Sequence, residues 1–562
     1  MNSFWRPDRC SSGVALVRSE AGWMEFRGPI ETRSATTLDE VVPILEWAEA
    51  QAQSRFVVGF VSYDAAPAFD DFQVVPGNSA PLARFATYER QEPFEFLTHG
   101  SLADFGSGLK VAIPKYAYFR DIKRIKAMLR QGRTYQVNHT FRLEGELQGD
   151  PGDMFCALCE DHVPEHGALL VYDDLTILSL SPELFFRRNG HLVTTQPMKG
   201  TRPISLAPDE LASSEKDHAE NLMIVDMIRN DLGRVAQVGS VQAPILFEVA
   251  AHGSVWQMTS TITAHVTHST ASLFRALFPC ASVVGAPKIE TTRAIAELEH
   301  TPRGVYCGAI GWMGPEKKAY FNVAIRTLVL QDGRAEYGVG GGIVWDSDPL
   351  EEWEECHSKM RALDPLAPCQ VLETAIWNGD QVSFAEARLG RMRATAAHCG
   401  FVAPKWEPKD FGQPPLLVRL KCGVEGQLGT EVARVSAFPD QLTYRPCPWP
   451  VDSCAPKLGY KSTRRALFDR ARRCCPDVDE TLLWNERGEV TEFTTGNVVA
   501  KLDGVRVTPP ESAGLLPGLA RANAIAKGLV HVQAITRHEL ARAEEVWHVN
   551  SVRGWTRAFL VS

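Results

Sequence analysis

The sequence predicts a multidomain protein of the α+β and α/β classes, and three observations lead there. The chain has 562 residues, too many for a single hydrophobic core. Short strand-like runs alternate with stretches of helical period along its length. A proline-bearing segment, Leu363-Asp-Pro-Leu-Ala-Pro-Cys369, separates two unequal parts. The expected organisation is a first domain over 1–362 (an N-terminal part to 109 and a core over 110–362), a linker over 363–369 and a second domain over 370–562.

Composition narrows the class. A hydrophobic share of 44% and a charged share of 23% describe an ordinary soluble globular protein. The net charge of −9 and a pI near 6.0, without a basic run, argue against nucleic acid as a partner. No apolar run approaches the roughly 18 residues of a membrane span, and the N-terminus lacks a signal-peptide core. The thirteen cysteines are scattered, as free thiols in a reducing compartment would be. Cys156-Ala-Leu-Cys159 has no second pair at zinc spacing, so buried small residues are expected there. A cytoplasmic enzyme is the reading these features support.

The stretch Gln196-Pro-Met-Lys-Gly-Thr-Arg-Pro203 organises the first half. It sets Lys199 between a proline that stiffens the approach and a glycine that permits close contact. A desolvated lysine loses part of its preference for the charged form and becomes an amine nucleophile. Asn189-Gly190 signals a hairpin, which would bring Glu183 and Lys199 to the same end of a sheet. A partly desolvated carboxyl beside an amine suits general acid–base work, although a surface ion pair reads equally well.

The surrounding elements follow in order. Leu38 to Ala52 reads as a helix, Phe56 to Tyr63 as a strand, and Tyr118 to Gln131 as a helix. Thr134 to Arg142 alternates like a strand with polar groups on one face, and strands resume at Ala168–Tyr172 and Thr176–Leu180. Lys216 to Arg234 is a helix ending near Gly233, with Asp217 and Glu220 on one face. After Gly340-Gly341-Gly342, Asp348 caps a second acidic helix, Pro349 fits its first turn, and Glu351, Glu355 and Lys359 recur every four residues. Two such helices at one cleft could hold magnesium, whereas singly each glutamate is a solvated face or an i,i+4 pair. The triple glycine offers N–H groups to an anion, and Arg326 ends an apolar run where it could clamp a carboxylate.

Residues of about 110 to 362 resemble the chorismate-utilising enzymes. The resemblance rests on Tyr135-Gln-Val-Asn138, Ser181-Pro-Glu183, Pro197-Met-Lys-Gly-Thr201, Ala219 through Arg234, Gly285-Ala-Pro-Lys288, Arg303-Gly-Val-Tyr306 and Gly340 through Asp346. Lysine at 199 is similar to the aminodeoxychorismate synthases, where anthranilate synthases usually have alanine. The resemblance implies stacked sheets flanked by helices, a Lys199 adduct at ring position 2 of chorismate, and Glu183 assisting loss of the 4-hydroxyl. It further implies Glu220 and Glu355 as magnesium ligands, Tyr306 and Arg326 for the enolpyruvyl carboxylate, and Thr201, Gln257 and Gly340, Gly341 and Gly342 around the substrate. Gln257 departs from a histidine common in relatives, and Ala281 and Val284 from a glycine and a threonine.

In the second half, Gln370 to Ile376 reads as a strand and Phe384 to Cys399 as a helix stopped by Gly400. Gly459-Tyr-Lys-Ser-Thr-Arg464, Thr491-Glu-Phe-Thr-Thr-Gly-Asn497 and Gly514-Leu-Leu-Pro-Gly-Leu-Ala-Arg521 offer a lysine, a strand glutamate and a phosphate cup, with Pro517 suited to a first turn. Those are the parts pyridoxal phosphate needs. From Cys369 to Ser562 the chain resembles fold-type IV pyridoxal-phosphate enzymes, and Leu483 to Gly488 with Val549 to Trp555 is most similar to the aminodeoxychorismate lyases. That resemblance implies Lys461 as the cofactor lysine, Glu492 at the ring nitrogen, and Arg391 with Gly518 and Leu519 at the phosphate. Thr374 and Arg553 are weaker substrate-facing candidates.

Together the halves would convert chorismate to 4-aminobenzoate, a folate precursor. No Gly-x-Cys-x-Gly elbow of a glutamine amidotransferase is present, so ammonia is expected from a separate glutaminase subunit or from solution. A homodimer through the second half is also within what the resemblance implies. Two alternatives stand beside this reading: an anthranilate-type synthase fused to an aminotransferase, and a degenerate fusion with a regulatory role.

Overall fold

Period-two runs of apolar residues build two large sheets in the first half. The computed structural model describes the chain apart from residues 1–3, 6–9, 21, 78–80, 97–104, 106–107, 160–162, 204–206, 253–254, 367–368, 400, 407–409, 436–438 and 562. Among the described residues one sheet has eleven strands and the other ten. Val17, Phe26, Leu170 and Ile177 of the first meet Val58, Phe60, Ile310 and Trp312 of the second in a shared core. Removing these side chains from water supplies the drive that holds the layers together. Helices cover the outer faces; the Leu38–Gln51 helix, for example, buries Val41, Leu45 and Ala48.

The expected hairpin forms. Leu184–Asn189 pairs with Leu192–Gln196 in antiparallel register, and Gly190 takes the left-handed turn at φ +60°. Pro197, lacking an N–H, then interrupts the ladder. Beyond it Met198–Pro203 runs along the same partner strand, Val255–His265, that Leu192–Thr195 already uses. This returns Lys199 toward the end of the sheet where Glu183 sits.

The strand expected near Thr134–Arg142 forms as Gln136–Glu146, with Gln136, Asn138, Thr140 and Arg142 on one face, and it is buried on both faces from Gln136 to Leu143. Two helices cover the other face, that of Val137, His139, Phe141 and Leu143: Tyr118 stacks on His139 with ring centres 5.3 Å apart, and Trp353 on Phe141 at 5.5 Å. Arg303 ties this strand to the segment carrying Ser282. It is fully buried and donates to both oxygens of Glu299 at 2.7 and 2.8 Å, to the Val283 carbonyl at 2.9 Å and to the Asn138 carbonyl at 2.7 Å.

The first part of the proposed linker is helical. Residues 361–366 form a 3₁₀ helix that buries Leu366, and residues 367–368 lie outside the described residues. The second half has a three-stranded sheet, Val371–Trp377, Leu416–Cys422 and Leu428–Arg434, beside the Ala385–His398 helix. Gly400, expected to stop that helix, also lies outside the described residues. An eight-stranded sheet completes this half. Cys156 and Cys159 are buried on the Pro151–Cys159 helix, as expected.

Replacing Arg303 with Met should strand the Glu299 carboxylate and cost about 3–5 kcal/mol, read as a lower urea midpoint. Breaking the exposed Lys318–Glu316 pair by Lys318→Ala should change it by less than about 0.5 kcal/mol.

Candidate active sites

The first site forms where the two large sheets meet. Gly338 to Gly342 belong to the strand Arg334–Ile343, in register with Gln136–Glu146 along one edge. The neighbour on the other edge pairs only from Tyr337 back to Arg334, leaving the glycine run without a second strand partner among the described residues. A methyl group at Gly338 would overlap the Tyr306 ring. One at Gly342 would overlap the Gln136 carboxamide and lie 3.2 Å from Lys199 Nζ. The glycines thus let side chains from both sheets approach one floor.

Lys199 is half-buried, and its amine has no hydrogen-bond or ion-pair partner among the described residues. Glu183 is buried, and its Oε1 lacks a partner. Burial pushes its carboxyl up to about 7, against the pull of Ser282, the Lys199 charge and the Met198 N–H. The carboxyl thus lies within electrostatic reach of Lys199, at the same end of the sheet as expected, without a hydrogen bond or ion pair between them. Gln257 is fully buried, with both amide atoms unpartnered, and Thr201 is its cross-strand neighbour.

Two helices supply the carboxylates. Ser214 caps the Glu215–Gly233 helix, and Asp348 caps the Pro349–Met360 helix, accepting from the N–H groups of Leu350 and Glu351 at 2.8 and 3.1 Å. Burial raises the Glu220 carboxyl, with Lys199 and Lys216 opposing and Asp217 and Glu355 adding to the rise. Lys359 holds Glu355 below its usual range through a 2.8 Å i,i+4 pair, and the Glu355 side chain is 58% exposed. Glu352, absent from the sequence expectations, accepts from Ser347 at 2.6 Å beside Gly341. Among the described residues no three acidic, imidazole or thiol groups converge as a complete metal cage. A pair of mutually repelling carboxylates still fits magnesium, which commonly takes one or two and fills its shell with water and substrate oxygens.

Arg326 adopts φ +50° between the strands Lys318–Val323 and Thr327–Gln331. No carboxylate pairs with it among the described residues, and burial lowers its hold on its proton. A half-buried guanidinium without a counter-charge among the described residues is a receptor for an anion. Tyr306, on the same side of the glycine strand, carries the Arg142 guanidinium 5.1 Å above its ring.

The second site lies between the small and large sheets of the other half. Lys461, Glu492, Asn497, Arg391, Gly518 and Leu519 line one cavity. Burial lowers the Lys461 amine to about 8; Glu373 opposes this, while Arg391, Arg388 and Arg465 add to it. Glu492 is buried and pushed up to about 8, although the Leu516 N–H donates to it at 3.2 Å and three arginines pull it down. A desolvated carboxyl of this kind awaits a cation such as a protonated pyridine nitrogen, so the residues fit pyridoxal phosphate.

The phosphate cup differs from expectation in two details. Pro517 precedes the cap rather than entering the first turn: Gly518 is the N-cap of the Leu519–Ala526 helix. Arg391 is already engaged, donating to both oxygens of Glu373 at 2.7 and 3.0 Å and to the Pro517 carbonyl at 3.0 Å. Glu373, buried and also paired with Arg388 at 3.2 Å, is the hub that sequence reading missed. Thr374 and Arg553 do not line the cavity.

Comparison with known proteins agrees with this geometry. Residues 97–365 match the chorismate binding enzyme family and residues 432–559 the amino-transferase class IV family. Aminodeoxychorismate synthase component 1 of Salmonella typhimurium is 35% identical over 339 residues, covering 58% of this chain and 70% of the relative. The chain belongs to the chorismate-binding enzymes. Aminodeoxychorismate synthase of Streptomyces griseus is 41% identical over 265 residues, 45% of this chain but 37% of that protein's length. Anthranilate synthase component I of Streptococcus pneumoniae shares the fold of the chorismate-binding half, with a TM-score of 0.52 and 24% identity over 63% of this chain and 90% of its own. The second half carries the class IV domain, whose cofactor is pyridoxal phosphate. No helix of the described residues is long and apolar enough to cross a membrane.

Glu183 has its folded-state pKa raised from 4.5 to about 7, so its neutral form favours folding below pH 4.5. That contribution is lost as pH rises from 4.5 through 7. Unfolding of Glu183→Gln against the parent should show the variant gaining, by up to about 3 kcal/mol, across this window.

Proposed function

We propose that this chain makes 4-aminobenzoate from chorismate and ammonia, one step in each half. The observation that carries the reading is Lys199, an unpartnered amine beside a carboxyl that keeps its proton to about pH 7. The aminodeoxychorismate synthases of Streptomyces griseus and Salmonella typhimurium, at 41% and 35% identity, support it. An anthranilate-type amination at ring position 2 would leave such a lysine without a task.

In the first half, Arg326 and Tyr306 would take the enolpyruvyl carboxylate, and Thr201, Gln257 and the glycine floor would bound the ring. Glu220 and Glu355 would hold magnesium, which would neutralise the ring carboxylate. Lys199 Nζ adds to ring carbon 2; the double bonds shift, and the 4-hydroxyl leaves as water with the Glu183 proton. Ammonia adds at carbon 4, the double bonds shift back, and Lys199 departs. Glu183, now a carboxylate, takes the proton from the entering nitrogen. The ammonia would come from a separate amidotransferase subunit or from solution.

In the second half, pyridoxal phosphate supplies an electron-withdrawing ring to the carbon bearing the new amine. Lys461 Nζ, partly neutral near pH 8, takes the proton from ring carbon 4. Glu492 would face the pyridine nitrogen and keep it protonated, and Arg391 with the N–H groups at Gly518 and Leu519 would hold the phosphate. Loss of pyruvate makes the ring aromatic, so this step runs downhill. The second domain is drawn from residue 370, because Glu373 and Arg391 precede the class IV match at 432. We further propose a homodimer through this half and a cytoplasmic location.

Mass-resolved analysis of the purified chain with chorismate, ammonium salt, magnesium and pyridoxal phosphate should give 4-aminobenzoate and pyruvate. Lys199→Ala should lower that output by about 10²-fold or more. Amination, corrected for the ammonia fraction, should decline above pH 7 as Glu183 loses its proton. Anthranilate as the main product would contradict the proposal.

A further inference from the structure

One wall of the cofactor cavity in the second half is held from the first half. Three arginines line that cavity: Arg391, Arg464 and Arg465. Two of them are anchored within the second half. Arg391 donates to Glu373 and to the Pro517 carbonyl, and Arg465 donates to the Thr494 carbonyl at 2.8 Å. Arg464, three residues after Lys461, is seated differently. Its guanidinium carbon lies over the ring of Phe105, 5.0 Å from the ring centre. Phe105 is fully buried in the core of the first half. Its carbonyl accepts from the Gln148 N–H at 3.1 Å, and a methyl group at Gly149 would stand 3.3 Å from its ring. The helix that follows, Ala466–Arg473, meets the first half as well: burial lowers the hold of Arg470 on its proton, and Cys159 and Arg18 are among the groups it senses.

We propose that Arg464 receives a carboxylate of the aminated ring in the second site, and that Phe105 is a positioning residue, contributed by the first half, that sets its direction. The inference rests on the two-step reading above. The substrate of the second step carries two carboxylates, one on the ring and one on the enolpyruvyl group. Under that reading Arg391 serves the cofactor phosphate, and Arg553 does not line the cavity. A guanidinium over an aromatic face is attracted through its plane, while its N–H fork stays directed outward along its edge. That fork matches a carboxylate in two-point fashion. The first half therefore does more than make the intermediate: one of its core side chains shapes the site that consumes it.

The test supplies full-length variants with the aminated ring, prepared with Lys461→Ala, and follows release of 4-aminobenzoate. Arg464→Gln should raise the KM of this step by about tenfold or more, because a charged hydrogen-bond donor is lost. Phe105→Leu, which keeps an apolar side chain and removes the aromatic face, should raise it about fivefold with kcat within about twofold. Its consumption of chorismate should stay within about twofold of the parent. Phe105→Leu added to Arg464→Gln should raise KM no further, since the ring acts only through the guanidinium. A KM near the parent's for either single variant, effects that multiply in the double variant, or chorismate consumption falling in step with release would overturn the inference. A parent that consumes no chorismate would sink the two-step reading and this inference with it, whereas an active parent with an indifferent Phe105→Leu sinks this inference alone.

Discussion

The missing side chains of the strand Arg334–Ile343 are the constraint on which the first site depends. Tyr306 packs where a residue at 338 would put its β-carbon, and Gln136 and Lys199 share the space above 342. Nothing but hydrogen fits at those positions without pushing one of them away. The two sheets can therefore bring an amine, a carboxamide and a phenol to one floor. The Arg303–Glu299 pair, behind the same strands, fixes the Asn138 and Val283 carbonyls and so the wall that carries Ser282.

The two halves apply one electrostatic device with different parts. In each, burial moves an acid up, to about 7 for Glu183 and about 8 for Glu492. In the second half burial also moves the amine down, to about 8 for Lys461. These groups keep a proton, or give it up, near neutral pH because water cannot reach them. The counter-charges differ. Around Lys199 lie Glu220 and Glu355 on helices, whereas behind Lys461 a single buried Glu373 is shared by two arginines. The first arrangement leaves carboxylates open to a metal ion. The second holds Arg391 at the cavity wall through its bonds to Glu373 and the Pro517 carbonyl.

Local chemistry was legible in the sequence and tertiary pairing was not. The Asn189-Gly190 turn, the Asp348 cap and the helix ending at Gly233 each rest on a few adjacent residues, and each formed as read. The family segments located Lys199, Glu183, Lys461 and Glu492. What stayed hidden depends on partners distant in sequence. The strand 136–143 shows its alternation in the sequence, but not that Tyr118 and Trp353 cover its His139 and Phe141 side. Arg391 reads as a free phosphate ligand until Glu373, eighteen residues earlier, is seen to hold it. Pro517 reads as a first-turn residue, but Gly518 takes the cap.

The central claim is that two amines in two separate pockets each perform one half of a consecutive reaction. The most direct measurement mixes two inactive variants, Lys199→Ala and Lys461→Ala, with chorismate, ammonia, magnesium and pyridoxal phosphate, and follows 4-aminobenzoate by mass spectrometry. The account predicts little product from either alone and its return on mixing, because one variant releases the aminated ring and the other completes it. A mixture as inactive as its components, or either variant alone matching the parent, would contradict it.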